Sequence, residues 1–348
     1  MSQRVESETS KLATWEEVES SADWTGLLVG NGSSIVVWKD FAYGSLFDVA
    51  EQQIAHPLEF SDRELFDAFG TTNFEQILAS LKTARVVNTA LELETTLLTE
   101  RYRSVQRALF EAVHAVHVPW SRVSAGTIPA LHKILRRYKH VYTTNYDLLL
   151  YWASMEKGGA GFLDFLWRKD DLAFDIRDTK IWLSREGWTR LLYLHGGIHL
   201  RRVAGGGTRK VSTAGGTILD QFSTSVESDD SPLLVSEADS SEKLRSIQSS
   251  DYLTFAHQEF AQHEGGLVIF GHGLGEGDSH IAAPVKRWNN PVAVSIRPAD
   301  DATVIEAKAR YRNRLAPLQN VLFFDATTHP LGDSGLAPRA LKGMFRRR

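Results

Sequence analysis

The chain has 348 residues, 43% hydrophobic and 24% charged, with a formal net charge of -4, a composition that fits a soluble globular protein with a sizeable core. It contains no cysteine, which excludes disulfides, cysteine-ligated zinc, iron–sulfur clusters and a thiol nucleophile. The acidic balance argues against direct nucleic-acid binding despite the basic tail Arg346–Arg348, and no apolar run reaches the ~20 residues of a membrane span, so no membrane association and a cytoplasmic location are expected.

Residues 1–22 are polar and form a lead-in in which Trp15 to Val18 is compatible with a short helix. A strand over Thr25 to Val29 then runs into Gly30-Asn31-Gly32-Ser33-Ser34. Glycines bring backbone N–H groups close to an anion, and serines add hydroxyl donors at a helix start, so this loop reads either as a phosphate cradle or as a tight turn. The aromatics Trp38, Phe41, Tyr43 and Phe47 follow, as a flap over a ligand or as core.

From Ser61 the apolar spacing becomes helical. Asn73 is an N-cap candidate, and Phe74, Ile77, Leu78 and Leu81 share a face. A helical run over Val86 to Val118 predicts burial of Leu91, Leu93, Leu97, Leu98, Tyr102, Val105, Leu109, Val113 and Val116 before Pro119 interrupts it, and another helix covers Pro129 to Tyr138. The insert over 60–138 is too long for an ordinary crossover. Strands are expected over His140 to Thr144, Lys180 to Leu183, Leu191 to Leu194, Leu267 to Phe270, Val292 to Ile296 and Val321 to Phe324, with helices between them, including one over Ser240 to Gln262. The glycine- and serine-rich stretch 201–231 predicts a flexible loop or hairpin. The fold class is therefore α/β, a Rossmann-like, mostly parallel sheet with helices on both faces and a helical insert after the first strand. The boundaries are a lead-in over 1–22 and one domain over 23–345.

Ligands of such sheets bind at the carboxyl ends of the strands, and the polar motifs all lie there. In Thr143-Thr144-Asn145-Tyr146-Asp147, an amide and a carboxylate can pair with sugar hydroxyls or a carboxamide, or cap the next helix. His195 ends a strand before Gly196 and Gly197, where an imidazole serves as a general base or as a satisfied core group. His199 lies four residues on, but in strand and turn rather than helix, so no metal is expected. Gly271-His272-Gly273-Leu274-Gly275-Glu276-Gly277-Asp278 forms a second glycine loop suited to a ribose or adenine, with Asp278 placed to cap a helix. Ser236, Glu237 and Tyr252 read either as crevice lining or as surface and core positions.

Taken in order, G-N-G-S-S, T-T-N-Y-D, L-H-G and F-G-H-G-L-G-E-G-D resemble the sirtuin-like superfamily, nearest to a bacterial family within it known as domain of unknown function 4917. The resemblance spans 26–281. It implies NAD as ligand or substrate, with Gly30, Asn31, Gly32, Ser33, Ser34, Thr144, Gly196, Gly271, Gly273 and Leu274 as binding positions and Asn145, Asp147 and His195 as catalytic ones. Sirtuin deacylases carry T-Q-N-I-D and a four-cysteine zinc module; here Thr144 replaces the glutamine and there is no cysteine, which puts deacylation in doubt. Bacterial defence NADases of the superfamily often lack that module and are the better likeness.

The resemblance thus implies an NAD glycohydrolase, releasing nicotinamide and ADP-ribose, in antiphage defence. Asn145 would position the ribose or water, Asp147 would hold the carboxamide or fix the loop, and His195 would take a proton. The alternatives are a non-catalytic sensor of NAD or ADP-ribose derivatives, and an ADP-ribosyltransferase or deacylase. An NADase needs regulation, so a homo-oligomer or a regulatory protein partner is expected, with the helical insert as the contact and 201–231 as a lid.

Overall fold

A computed structural model describes residues 9–42, 46–52, 54–166, 172–179, 186–203, 207–211, 218, 231–235 and 240–338. The strand expected over 180–183, the side chains of Ser236 and Glu237 and the basic tail lie outside these residues. The strands are β1 (Trp24–Val29), β2 (His140–Thr143), β3 (Phe162–Leu163), β4 (Thr189–Tyr193), β5 (Gly196–Arg202), β6 (Thr208–Lys210), β7 (Ser231–Leu234), β8 (Gly266–Phe270), β9 (Val292–Ile296) and β10 (Val321–Asp325).

Seven strands form one parallel sheet in the order β10-β9-β8-β1-β2-β4-β3. A parallel sheet is covered on both faces, so its strands are apolar throughout rather than alternating. Every residue of β1, β8 and β9 is buried accordingly. Leu27, Leu28 and Val29 are fully enclosed, each stabilising the sheet by about 1.5–3 kcal/mol. From β1 the chain moves to β2 and β4 on one side, then returns to β8, β9 and β10 on the other. The strand order therefore reverses between β1 and β8, and the carboxyl edge at such a switch point is where ligands of open α/β sheets bind.

The helices are α1 (Trp15–Glu19), α2 (Asn31–Val37), α3 (Leu46–Gln52), α4 (Phe60–Phe69), α5 (Phe74–Ala90), α6 (Thr96–Val116), α7 (Thr127–Leu135) and α8 (Leu149–Met155), followed by α9 (Ser240–Gln248), α10 (Asp251–Ala261), α11 (Ser279–Val285) and α12 (Asp301–Leu315). The lead-in helix α1 is held by a reciprocal capping box between Thr14 and Glu17. The continuous helix pattern over 86–118 is broken: the chain turns between α5 and α6, with Glu92 at φ 57°. Leu91, Leu93 and Leu97 are consequently 63%, 55% and 64% exposed instead of buried, because they fall at a hairpin end where the helical face meets nothing. Val105, Leu109, Val113 and Val116, deeper along α6, are buried as expected. The helix predicted over 240–262 is likewise two helices, because the Ser250 side chain accepts from Leu253 N and starts α10 afresh. Among the described residues no helix is long and apolar enough to cross a membrane.

The expected loop 201–231 is in part strand, since Arg201 and Arg202 end β5 and Thr208 to Lys210 form β6, within an antiparallel sheet of order β6-β5-β7. Beneath it Lys210 Nζ donates to Asp164 Oδ2 at 2.6 Å, the two side chains being 1% and 4% exposed. Breaking a buried ion pair from one side strands the other charge in a medium that solvates it poorly. Asp164→Ala is expected to lower unfolding free energy by about 3 kcal/mol, measured by urea denaturation; a loss within error of zero would show that the pair contributes nothing.

Candidate functional site

Loops leave the carboxyl edge after β1 (where Gly30 leads straight into the first turn of α2, 31–34), after β2 (144–148) and after β8 (271–278), and His195 stands just past β4. The first and third loops are joined directly: Gly30 N donates to Phe270 O at 2.9 Å and Gly32 N donates to Gly271 O at 2.8 Å. A Cβ on Gly30 would lie 2.5 Å from His272 Cα, and one on Gly32 would lie 2.7 Å from Gly271 Cα. Glycine is thus required here so that two backbones can touch, with Gly271 itself at φ 66°.

This changes the expected diphosphate cradle. The amides of Gly32 and Ser33 already donate to Gly271 O and Gly30 O, so they do not face an open anion site. The Ser33 hydroxyl donates to Gly30 O at 2.9 Å and the Ser34 hydroxyl to Asp147 Oδ2 at 2.6 Å; both turn inward. Asn31 Nδ2 donates to Phe41 O, which anchors the aromatic stretch as packing: Phe41 is buried, and Phe47 meets the rings of Phe66 and Phe74. Leu274 is fully buried, its amide donating to His272 Nδ1, so it belongs to the core rather than to a ligand surface. Gly273 differs, because a Cβ there would meet nothing within 4 Å among the described residues. The backbone is open to a ligand at that point.

Asn145 ties the second loop to the first. Its Nδ2 donates to Gly30 O at 3.1 Å and to Ser34 Oγ at 2.9 Å. A backbone carbonyl only accepts, so Gly30 O fixes which end of the amide is nitrogen. The other end, Oδ1, is buried with no hydrogen-bond partner among the described residues. Leaving a buried acceptor unmet costs about 1–3 kcal/mol, so an incoming hydroxyl, amide or water would relieve it. Asp147 is buried at the base of this arrangement, accepting from Ser34 Oγ and from Leu149 N at 2.8 Å. Burial raises its pKa, while those hydrogen bonds oppose the rise. Its geometry is that of a loop anchor and cap for α8. Thr144 is half-buried, its amide donating to Val29 O.

His195 is buried, and its Nε2 lies 2.8 Å from His280 Nε2. His280 Nδ1 lies 3.2 Å from Ser240 Oγ. His280 belongs to the first turn of α11, directly after the third loop, so its contact places the His195 imidazole on the same edge of the sheet as the first loop. Gly196 and Gly197 do not open a way to it. Gly196, at φ 77°, lies under the Leu233 carbonyl of β7, and Gly197 lies under the His199 ring. His199 does not join His195 but packs between Tyr151 and Tyr193, at 4.6 and 4.5 Å between ring centres. Asp278 makes no cap bond to α11; its Oδ1 accepts from Lys243 Nζ at 2.8 Å. Tyr252 is core, its hydroxyl accepting from Tyr193 N.

Sequence reading passed over His280, Ser240 and Lys243. The available signal was Asp278-Ser279-His280, directly after the glycine loop, where a second histidine two residues from a carboxylate shares its surroundings. A surface groove of about 570 Å³ lined by Phe174, Asp251, Phe255 and Gln258, among others, shares no residue with these loops.

Burial, then the neighbouring His280 and Lys243, hold His195 well below the usual imidazole pKa. Burial likewise takes His280 to about 3 and His257 to about 4. These groups are neutral when folded at pH 7 and charge more readily when unfolded, so the unfolded chain binds more protons below the ordinary value of 6.5. Their contribution to stability is complete above that value and is lost as pH falls toward the folded values. Thermal melts taken at descending pH should show the midpoint dropping progressively below about pH 6.5; a midpoint that holds flat into the acid range would contradict the buried neutral imidazoles.

The family model described as Domain of unknown function (DUF4917) matches residues 27–331, and the chain belongs to that family. No curated protein matches the sequence.

Proposed function

We propose, from the site itself because the family carries no assigned activity, that the protein cleaves the bond between nicotinamide and ribose in NAD. The observation that carries this reading is the buried, unpartnered Asn145 Oδ1 at the switch-point edge of a Rossmann-like sheet. An acceptor there suits a ribose hydroxyl or a water, the two groups this reaction must hold. The order of motifs Gly30–Ser34, Thr143–Asp147, Leu194–Gly196 and Phe270–Asp278, with its likeness to sirtuin-like defence NADases, supplies the substrate class.

In the reaction the glycosidic C–N bond breaks, and its electron pair leaves with nicotinamide. The sugar passes through an oxocarbenium-like state, and water adds at the anomeric carbon. Asn145 Oδ1 orients the hydroxyl or the water. Ser34 and Asp147 hold the Asn145 side chain and its loop in place. His195, neutral at pH 7, takes the proton released when water adds. The diphosphate lies along the open backbone at Gly273 rather than within Gly30–Ser33. Thr144 borders the nicotinamide end.

Incubating the purified protein with NAD at several protein concentrations and following free nicotinamide tests this. Release in excess of the protein present supports hydrolysis. Saturable binding with no release over hours makes the protein a sensor, and release that requires an added acceptor makes it a transferase. Activity that rises more steeply than protein concentration would mark an assembly that switches the enzyme on.

A further inference from the structure

The surroundings of His195 hold more than a base requires. His195, His280 and Asp278 each offer one ligand atom, and these atoms all lie within 4.8 Å of one another. His195 and His280 meet through their Nε2 atoms. Two neutral imidazoles facing in this way share a single proton, because each ring carries only one N–H. Two members of the set, His280 and Asp278, are already held from behind. His280 Nδ1 reaches Ser240 Oγ, which also accepts from His280 N at 3.1 Å and from the Ser279 hydroxyl at 2.6 Å. Asp278 Oδ1 accepts from Lys243, while its Oδ2 lies 3.9 Å from His272 Nε2.

This is part of the layout of a metal site: one imidazole engaged through its second ring nitrogen and a carboxylate bonded through its other oxygen. We propose that His195, His280 and Asp278 bind one zinc-like divalent cation through the two Nε2 atoms and one carboxylate oxygen. Two nitrogens and one oxygen suit zinc, cobalt or nickel better than calcium or magnesium, which prefer oxygen-only shells. Two nitrogens bound tetrahedrally at about 2.0–2.1 Å stand about 3.4 Å apart, so the rings separate by roughly half an ångström, and the ring that carried the proton between them takes up its Nδ1–H form with no net proton lost. The Lys243 cation beside Asp278 weakens the site electrostatically, which makes it reversible rather than permanently filled. The three ligands leave one position for water or an anion.

The binding claim does not depend on NAD hydrolysis, but its consequence does. A metal on His195 Nε2 ties down the imidazole proposed as the base, so the loaded protein should be inactive and the stripped protein active. The cluster then acts as a metal-responsive brake on the enzyme.

The test is titration of the chelator-stripped full chain with cobalt(II), read by visible d–d absorption, and with zinc by calorimetry. One ion per chain with the absorption of a tetrahedral nitrogen- and oxygen-ligated site is expected. His280→Ala and Asp278→Asn should each weaken binding by about 100-fold and Ser240→Ala by about 10-fold, with folding checked by far-ultraviolet circular dichroism. Where His280→Ala fails to fold, Asp278→Asn, which keeps its side-chain volume, decides alone. The absence of stoichiometric binding, or binding that these substitutions leave unchanged, would overturn the proposal. Metal binding by a chain whose stripped form cleaves no NAD would leave the site standing and remove the hydrolase reading; cleavage unaffected by bound metal would remove only the brake.

Discussion

Asn145→Ala is expected to lower nicotinamide release from NAD by about a thousandfold, the size of effect seen when a fixed polar group facing a charged transition state is removed. The side chain has two separate duties. Its amide nitrogen joins the β2 loop to Gly30 O and Ser34 Oγ, and its carbonyl oxygen is buried with no partner among the described residues. Alanine removes both, so a modest loss of stability, about 1 kcal/mol for the hydrogen bonds, should accompany the loss of turnover. Ser34→Ala separates the two. It deletes the hydroxyl between Asn145 and Asp147 and leaves the orphan carbonyl in place, so it should cost comparable stability but far less activity. Asparagine to aspartate is no rescue, since one carboxylate oxygen would then face the Gly30 carbonyl, acceptor against acceptor. Steady-state nicotinamide release alongside thermal melts of the three variants separates the effects. Asn145→Ala turning over NAD at the parent rate would mean that the unmet acceptor has nothing to do with the reaction.

Much of this frame could be read from residue order because it depends on patterns that persist along the chain. Parallel strands buried on both faces are apolar runs, and the loops at their carboxyl ends carry the polar residues, so β1, β2, β8 and β9 and the positions of Asn145 and His195 were legible. What could not be read was which partner each residue meets. Gly30 and Gly32 are the residue type a phosphate loop needs, but the same type is needed where another backbone presses close, and the partner, Gly271, is far away in the chain. Ser33 and Ser34 are hydroxyls in either case; only the fold turns them toward Gly30 O and Asp147. Gly196 follows the same logic, its open side taken up by β7. Leu91, Leu93 and Leu97 fit a buried helical stripe by spacing, yet burial needs a second surface, and the α5–α6 turn removes it. His280 was missed because its importance comes from one contact with His195 across the sheet edge, a relation without sequence periodicity.

His195→Ala is expected to cost about a thousandfold in NAD cleavage in metal-free protein, within the range for loss of a positioned general base. The pH dependence tells a base from a merely structural histidine. Burial and the adjacent His280 hold the imidazole well below its ordinary pKa of 6.5, so it stays unprotonated and competent as pH falls through that value. The parent enzyme should therefore keep its kcat/KM to well below pH 6.5, with the acid limb marking the pKa of His195 in the free enzyme. His280→Ala removes a neighbour that opposes protonation of His195 and makes room beside the ring for water, so the acid limb should move up toward 6.5. A substitution that merely loosened the fold would lower the whole profile without moving its limb. His280 in this account is a positioning residue, acting through His195. Two results would break it: an acid limb unmoved by His280→Ala, or residual activity in His195→Ala that follows the parent's profile.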